Sequence, residues 1–172
     1  KYSTSGLHCV DYRTLERSYH ASRDSKIELI RLLSKYHGSD NIVLFNSGFW
    51  ALVGALKINI KRAKITGVLM PSLTYRRLAD AVYWAGGIPI FADVDPETLA
   101  LCPDNVSSIL LSRNDVGVVL LVQPIVGSVS VLQMKSVCES SGVELVVDSV
   151  ESVHDTIQGA RTGSFPVSEV FS

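Results

Sequence analysis

The sequence predicts an α/β fold in three layers, a mostly parallel sheet covered by helices on both faces, and three observations carry that expectation. Five short apolar runs alternate with helical stretches of about 10 to 14 residues, the pattern of crossover units in a parallel sheet. The run Val116–Val122 is continuously apolar, as a strand buried on both faces should be. With 172 residues, 47% of them hydrophobic and 19% charged, the chain fits one domain with a real core. A chain near this size removes about 70% of its unfolded surface from water.

Residues 1–22 are polar with scattered aromatics and no sustained period, and are expected to form an N-terminal arm; 23–172 form the domain. From Asp24 a helical pattern sets Ile27, Ile30 and Leu33 on one face, and Gly38 stops it, so His37 reads as a helix-end cation. Residues Asn41–Phe45 are expected to be a strand, turned by Asn46-Ser47-Gly48 into a helix from about Phe49 to Ile60. Ile65–Met70 is the next strand, and Ser72 or Thr74 should cap a helix carrying Leu78, Ala81, Val82 and Ala85, stopped at Gly86-Gly87. Ile88–Phe91 is a strand and Asp104–Leu111 a helix with Val106, Ile109 and Leu110 inward. Val116–Val122 is closed by Gln123-Pro124-Ile125-Val126-Gly127, and a helix over Ser130–Ser140 ends at Gly142. Beyond Glu151 a surface hairpin is expected around Gln158–Ser164, before a further strand opens at Glu169.

The stretch Val143–Glu151 is the most informative about chemistry. Its apolar run ends at Asp148, and ligands of open parallel sheets sit just beyond the carboxyl ends of the strands. Asp148 reads equally as a carboxylate facing a ligand or as a cap for the turn that follows. Gly48, where a strand turns into a helix, would let amides approach an anion, or is a plain turn glycine. Tyr75 would cover a planar ligand or pack on its own helix. Asp93 and Asp95 precede Pro96 and Thr98 and read as an Asx-type turn, so no metal is expected.

Cys9, Cys102 and Cys138 are odd in number and lack ligand spacing, which reads as reduced thiols in a cytoplasmic protein. A net charge of −1 carries no field for nucleic acid, and no apolar run reaches the roughly 20 residues of a bilayer span. No G-x-G-x-x-G turn follows the first strand, which argues against a dinucleotide site.

In order and spacing, six pieces resemble the DegT/DnrJ/EryC1/StrS sugar aminotransferases, of the fold type I pyridoxal phosphate class. They are Asn46-Ser47-Gly48 opening a helix, Pro71-Ser72-Leu73-Thr74-Tyr75, the stretch Pro89 to Leu99, the strand closed at Gly127, Val147-Asp148-Ser149-Val150-Glu151, and Gly163-Ser164-Phe165 leading to Val170-Phe171-Ser172. The likeness covers about residues 40–172. It implies the large domain of such an enzyme, with pyridoxal 5'-phosphate as cofactor. Asp148 would pair with the pyridinium nitrogen, Tyr75 would stack on the ring, and the turn of Gly48, Phe49 and Trp50 would meet the phosphate together with Ser172.

Three departures follow from the same resemblance. Phe49 and Trp50 stand where relatives carry a small hydroxyl residue and then Ala or Ser, and Glu151 stands where they carry Gln or His near the cofactor's phenolic oxygen. A carboxylate there repels an anionic oxygen. The Schiff-base lysine of the family falls a few residues past Ser172, so the chain as given is expected to hold no such lysine and no smaller C-terminal domain. Two readings remain. One is part of an aminotransferase moving an amino group from an amino acid to a keto sugar nucleotide; the other is an inactive relative serving binding or assembly. A homodimer is expected for either.

Overall fold

The computed structural model describes residues 22–123, 129–152, 156–157, 160–161 and 163–171. The expected arm thus lies outside the described residues except for Ser22, as do Pro124–Ser128 and Ser172. The chain divides into two compact units, Lys1–Val43 and Leu44–Ser172.

In the first unit, helix α1 (Ser22–His37) leaves Ile27, Leu29 and Leu32 exposed and buries His37, edge-on to the Tyr36 ring at 4.9 Å. The expected strand over residues 41–45 does not form. These residues take no regular structure and Val43 is 73% exposed. An apolar run becomes a strand only where a neighbour takes up its backbone donors and acceptors, and no ladder includes this one.

The second unit is built on strands β1 (Gly67–Pro71), β2 (Ile88–Ala92), β3 (Val116–Val122), β4 (Glu144–Asp148) and β7 (Ser168–Val170), all parallel, in the order β2-β1-β3-β4-β7. A separate antiparallel pair, β5 (Thr156–Ile157) and β6 (Ala160–Arg161), stands where the hairpin was expected. The intervening helices are α2 (Gly48–Ala63), α3 (Arg77–Trp84), α4 (Pro103–Ser112) and α5 (Val131–Ser140).

Alternation along each strand sorts the core into two halves. Val68, Met70, Val118, Leu120 and Val146 face α2 and α3, where Leu52, Leu56, Ala81 and Val82 are buried. Leu69, Val119, Leu121, Leu145 and Val147 face α4 and α5, meeting Val106, Leu110, Val131 and Met134. Hence the three layers: a sheet apolar on both sides needs a helix layer on each. Asn59, buried in α2, donates through Nδ2 to the Ala55 carbonyl at 2.8 Å and to Ser168 Oγ at 3.0 Å, tying α2 to β7.

Helix α3 starts differently from the expectation. Its N-cap is Arg76, with no side-chain capping bond, so neither Ser72 nor Thr74 caps it. A tight backbone turn does that work: Leu78 N–H donates to the Tyr75 carbonyl at 2.9 Å and Ala79 N–H to that of Arg76 at 3.2 Å.

The β1–β3 pairing shifts register between Gly67 and Val68: Gly67 pairs with Val116 and Val68 with Val118, leaving Gly117 as the extra residue. A Cβ on Gly67 would lie 1.9 Å from the Asp115 carbonyl oxygen, and one on Gly117 2.5 Å from that of Ile65. Both contacts are with backbone, which cannot swing aside. At the outer strand β2, Ile88 N–H donates inward to Thr66 and the Ala92 carbonyl accepts from Ser72 N–H, both at 2.8 Å, so the intervening Pro89 presents its ring nitrogen outward.

No described helix is long and apolar enough to cross a membrane. Gly67→Ala is expected to cost at least about 1–3 kcal/mol through overpacking of this crossing. Thermal unfolding reads it, and an unchanged melting temperature would contradict the close approach of β1 and β3.

Candidate functional site

The carboxyl ends of β1, β3 and β4 lie at one edge of the sheet because the ladders are parallel, with Val122 opposite Asp148 and, beyond the register shift at Gly117, Leu69 opposite Val119. The chain runs from β1 through α3 to β2 on one side, then from β2 through α4 on the opposite face back past β1 to β3, so the direction of winding reverses beside β1 and a crevice opens there. A cavity of about 430 Å³ occupies it. Its walls come from the start of α2 (Gly48, Phe49), the ends of β1 and β3 (Pro71, Val122, Gln123), the turn into α3 (Thr74, Tyr75, Arg77) and Asp148, Val150 and Glu151.

Five of the seven residues singled out from the sequence, Gly48, Phe49, Tyr75, Asp148 and Glu151, line this cavity. Trp50 does not. It is 41% exposed, edge-on to Phe49 at 5.3 Å and to Trp84 at 5.6 Å. On a helix successive side chains point about 100° apart, so Phe49 and Trp50 cannot both face the same hollow. Ser172 lies outside the described residues.

Asp148 is the one ionisable cavity residue that is buried, at 7% exposure. Its Oδ1 accepts from Val150 N–H at 3.1 Å, the Asx-type turn that the cap reading required. Its Oδ2 has no hydrogen-bond partner among the described residues, so both readings describe the same side chain. Burial pushes its pKa above the usual aspartate value, the Val150 amide opposes that shift, and the neighbouring Glu151 charge adds to it. Glu151 itself is exposed, in a short 3₁₀ turn over Val150–Ser152.

At the other wall, Ser47 caps α2, its Oγ accepting from Trp50 N–H at 3.4 Å, while the first helical bond runs from Ala51 N–H to the Ser47 carbonyl at 3.1 Å. The amides of Gly48 and Phe49 belong to the unpaired first turn. Tyr75 is 67% exposed, its ring packed on no other ring among the described residues.

Sequence reasoning missed Arg77 and the side chain of Gln123. Gln123 is buried and fixes the strand end, donating from Nε2 to the Val129 carbonyl at 3.1 Å and accepting on Oε1 from Val129 N–H at 3.3 Å. A polar residue ending a continuous apolar strand was the available signal. Leu99, also on the wall, has φ 57°, set by the turn in which Asp95 Oδ1 accepts from Glu97 and Thr98 N–H at 2.9 Å each. That is the Asx turn expected there, and no group of three potential metal ligands occurs among the described residues. Cys138 is buried, its thiol pushed up to about 12 by burial.

The model of the DegT/DnrJ/EryC1/StrS aminotransferase family matches residues 16–172. The chain is 27% identical over 154 residues to the L-glutamine:2-deoxy-scyllo-inosose aminotransferase of Streptomyces kanamyceticus, covering 90% of this chain and 35% of that protein. It is 27% identical over 126 residues to the dTDP-4-dehydro-2,3,6-trideoxy-D-glucose 4-aminotransferase of Saccharopolyspora spinosa, covering 73% and 32%. It therefore spans about a third of the length of these curated relatives. A sugar aminotransferase of Micromonospora echinospora shares the fold, with a TM-score of 0.76 at 20% identity over 84% of this chain and 40% of that one.

The raised pKa of Asp148 fixes a pH dependence. A carboxyl that binds its proton more tightly folded than unfolded favours the folded state at low pH, and that favour is lost as pH rises from about 3.8 through the folded pKa. Asp148→Asn, which keeps an acceptor for Val150, is expected to raise the urea midpoint of the ligand-free protein at pH 7 and to converge with the parent below pH 4. A variant less stable at pH 7 would show that the carboxylate is already compensated.

Proposed function

The chain belongs to the DegT/DnrJ/EryC1/StrS aminotransferase family, and on that premise we propose that its cavity is the cofactor-binding part of an aminotransferase acting on a keto sugar nucleotide, with an amino acid as donor. The observation that carries this reading is Asp148: a buried carboxylate at the end of β4, lining a cavity, with one oxygen unengaged and no ion pair among the described residues. Burying a charge without a partner is unfavourable, and a protonated ring nitrogen would relieve it.

The residues present fit pyridoxal phosphate. Asp148 would hold the ring nitrogen in its protonated form, Tyr75 would cover a ring face, and the Gly48 and Phe49 amides at the start of α2 would meet the phosphate. When bound, the cofactor supplies an electron sink at the amino-acid α-carbon and carries the amino group. Leu52, Leu73, Leu78, Leu99 and Val122 give the cavity an apolar lining that keeps water from Asp148. Gln123 has its side chain tied to Val129, and its N–H, donating to the Asp148 carbonyl at 2.9 Å, holds the end of β3 against the end of β4.

Among the described residues no lysine lines the cavity. We assign the lysine that would hold the cofactor covalently, and the smaller C-terminal domain, to residues of a longer protein following Ser172. The limited share of each relative that the chain covers supports that assignment. On this reading residues 23–172 belong to the large domain, and the assembly is a homodimer in the cytoplasm. The alternative, a relative that has lost the chemistry, is favoured by Phe49 on the cavity wall in place of a hydroxyl and by Glu151 beside Asp148.

Titrating the chain with pyridoxal phosphate, followed by absorbance or equilibrium dialysis, separates the two. Binding is expected, weakened by about a hundredfold to a few thousandfold by Asp148→Asn, the scale of breaking a buried charge pair. Glu151→Gln is expected to lower the Asp148 pKa, visible by NMR titration of its carboxyl, and to tighten cofactor binding. Absence of binding by the parent chain would favour the inactive relative, and equal binding by Asp148→Asn would remove the role given to that carboxylate.

A further inference from the structure

Arg77 occupies an awkward place for a cation. It is the first residue of α3, and its guanidinium carbon lies 4.6 Å from the centroid of the Phe49 ring, in the first turn of α2. Two helix N-termini, each carrying partial positive charge, therefore meet at this side chain, and the helix dipole disfavours a cation there. Among the described residues no hydrogen bond or ion pair engages it, although Asp148 and Glu151 line the same cavity. The cavity thus holds unpaired charge of both signs, carboxylates beyond β4 and a guanidinium at the helix starts.

Resting on the cofactor reading above, we propose that Arg77 is the anion-recognising side chain of this cavity and receives the phosphate of the ligand whose ring nitrogen meets Asp148. A group with a cationic nitrogen at one end and a phosphate dianion at the other matches this separation of charge. The anion would also sit among the free amides of Gly48 and Phe49, turning a repulsive arrangement into an attractive one. Phe49 supports the guanidinium from one side and leaves its N–H groups free to donate, in a fork suited to two phosphate oxygens. It carries no hydroxyl of its own, so the side-chain contribution to the phosphate passes from the first turn of α2 to the first turn of α3.

The test compares pyridoxal phosphate with pyridoxal, which lacks the phosphate, on the full chain, Arg77→Ala and Arg77→Lys, by quenching of tryptophan fluorescence and by dialysis. The parent is expected to prefer the phosphorylated compound. Arg77→Ala should reduce that preference by about ten- to a hundredfold, the scale of a charge-assisted hydrogen bond, with pyridoxal binding unchanged. Arg77→Lys should recover part of it, and thermal unfolding of ligand-free Arg77→Ala should stay close to the parent's, because the side chain is exposed and makes no hydrogen bond or ion pair among the described residues. An undiminished phosphate preference in Arg77→Ala, with Asp148→Asn still weakening binding, overturns the role of Arg77 and leaves the cofactor reading standing. Failure of the parent to bind either compound overturns both.

Discussion

The site depends on one constraint, the level alignment of three strand ends. The β1, β3 and β4 ladders are parallel, so Pro71, Val122 and Asp148 finish at one edge of the sheet, and the reversal of winding between the β1–β2 and β2–β3 crossovers leaves a crevice there. That alignment needs Gly67 and Gly117, where the chain segments at the foot of the sheet touch backbone to backbone. A bulkier residue at either point would push β1 from β3 and move one wall of the cavity against the other. The apolar packing on both faces then holds the sheet rigid, so a carboxylate on the last residue of β4 is kept out of water rather than free to turn towards it.

Much of the architecture was legible in the order of residues. Val116–Val122 read as a buried strand because a sheet covered on both sides demands unbroken apolar side chains, Val143–Val147 as a strand from its β-rich apolar residues, and the helices between carry their own spacing. The three-layer α/β fold with a parallel sheet follows from that alternation, and the fold shared with the solved sugar aminotransferase agrees with it. The failures share a cause. Residues 41–45 have the composition of a strand, but strand formation is decided by a neighbour that composition does not reveal. Ser72 and Thr74 have capping chemistry, yet the backbone turn at Tyr75 and Arg76 had already supplied the acceptors.

Within the site, the residues found from sequence were those at strand ends and turns, where position along the chain fixes position in space. Asp148 and Gly48 are of this kind. Trp50 falls outside the cavity lining because adjacent side chains on a helix diverge in space, and its ring meets Trp84 instead. Arg77 was invisible for the converse reason: its significance comes from Phe49, which lies 28 residues earlier and meets it only when α2 and α3 lie side by side. Charges that matter through contacts between elements cannot be weighed until the elements are placed.

The outermost strand β2 leaves Ile88 and Phe91 uncovered in the described chain, a profile that invites a stranger's backbone to add on. Pro89 answers that hazard. Its ring nitrogen sits on the outward side, where an N–H would otherwise be offered, so an incoming strand finds no donor at the second of the five residues of β2. The fold can therefore keep this margin greasy without becoming a template for endless sheet growth.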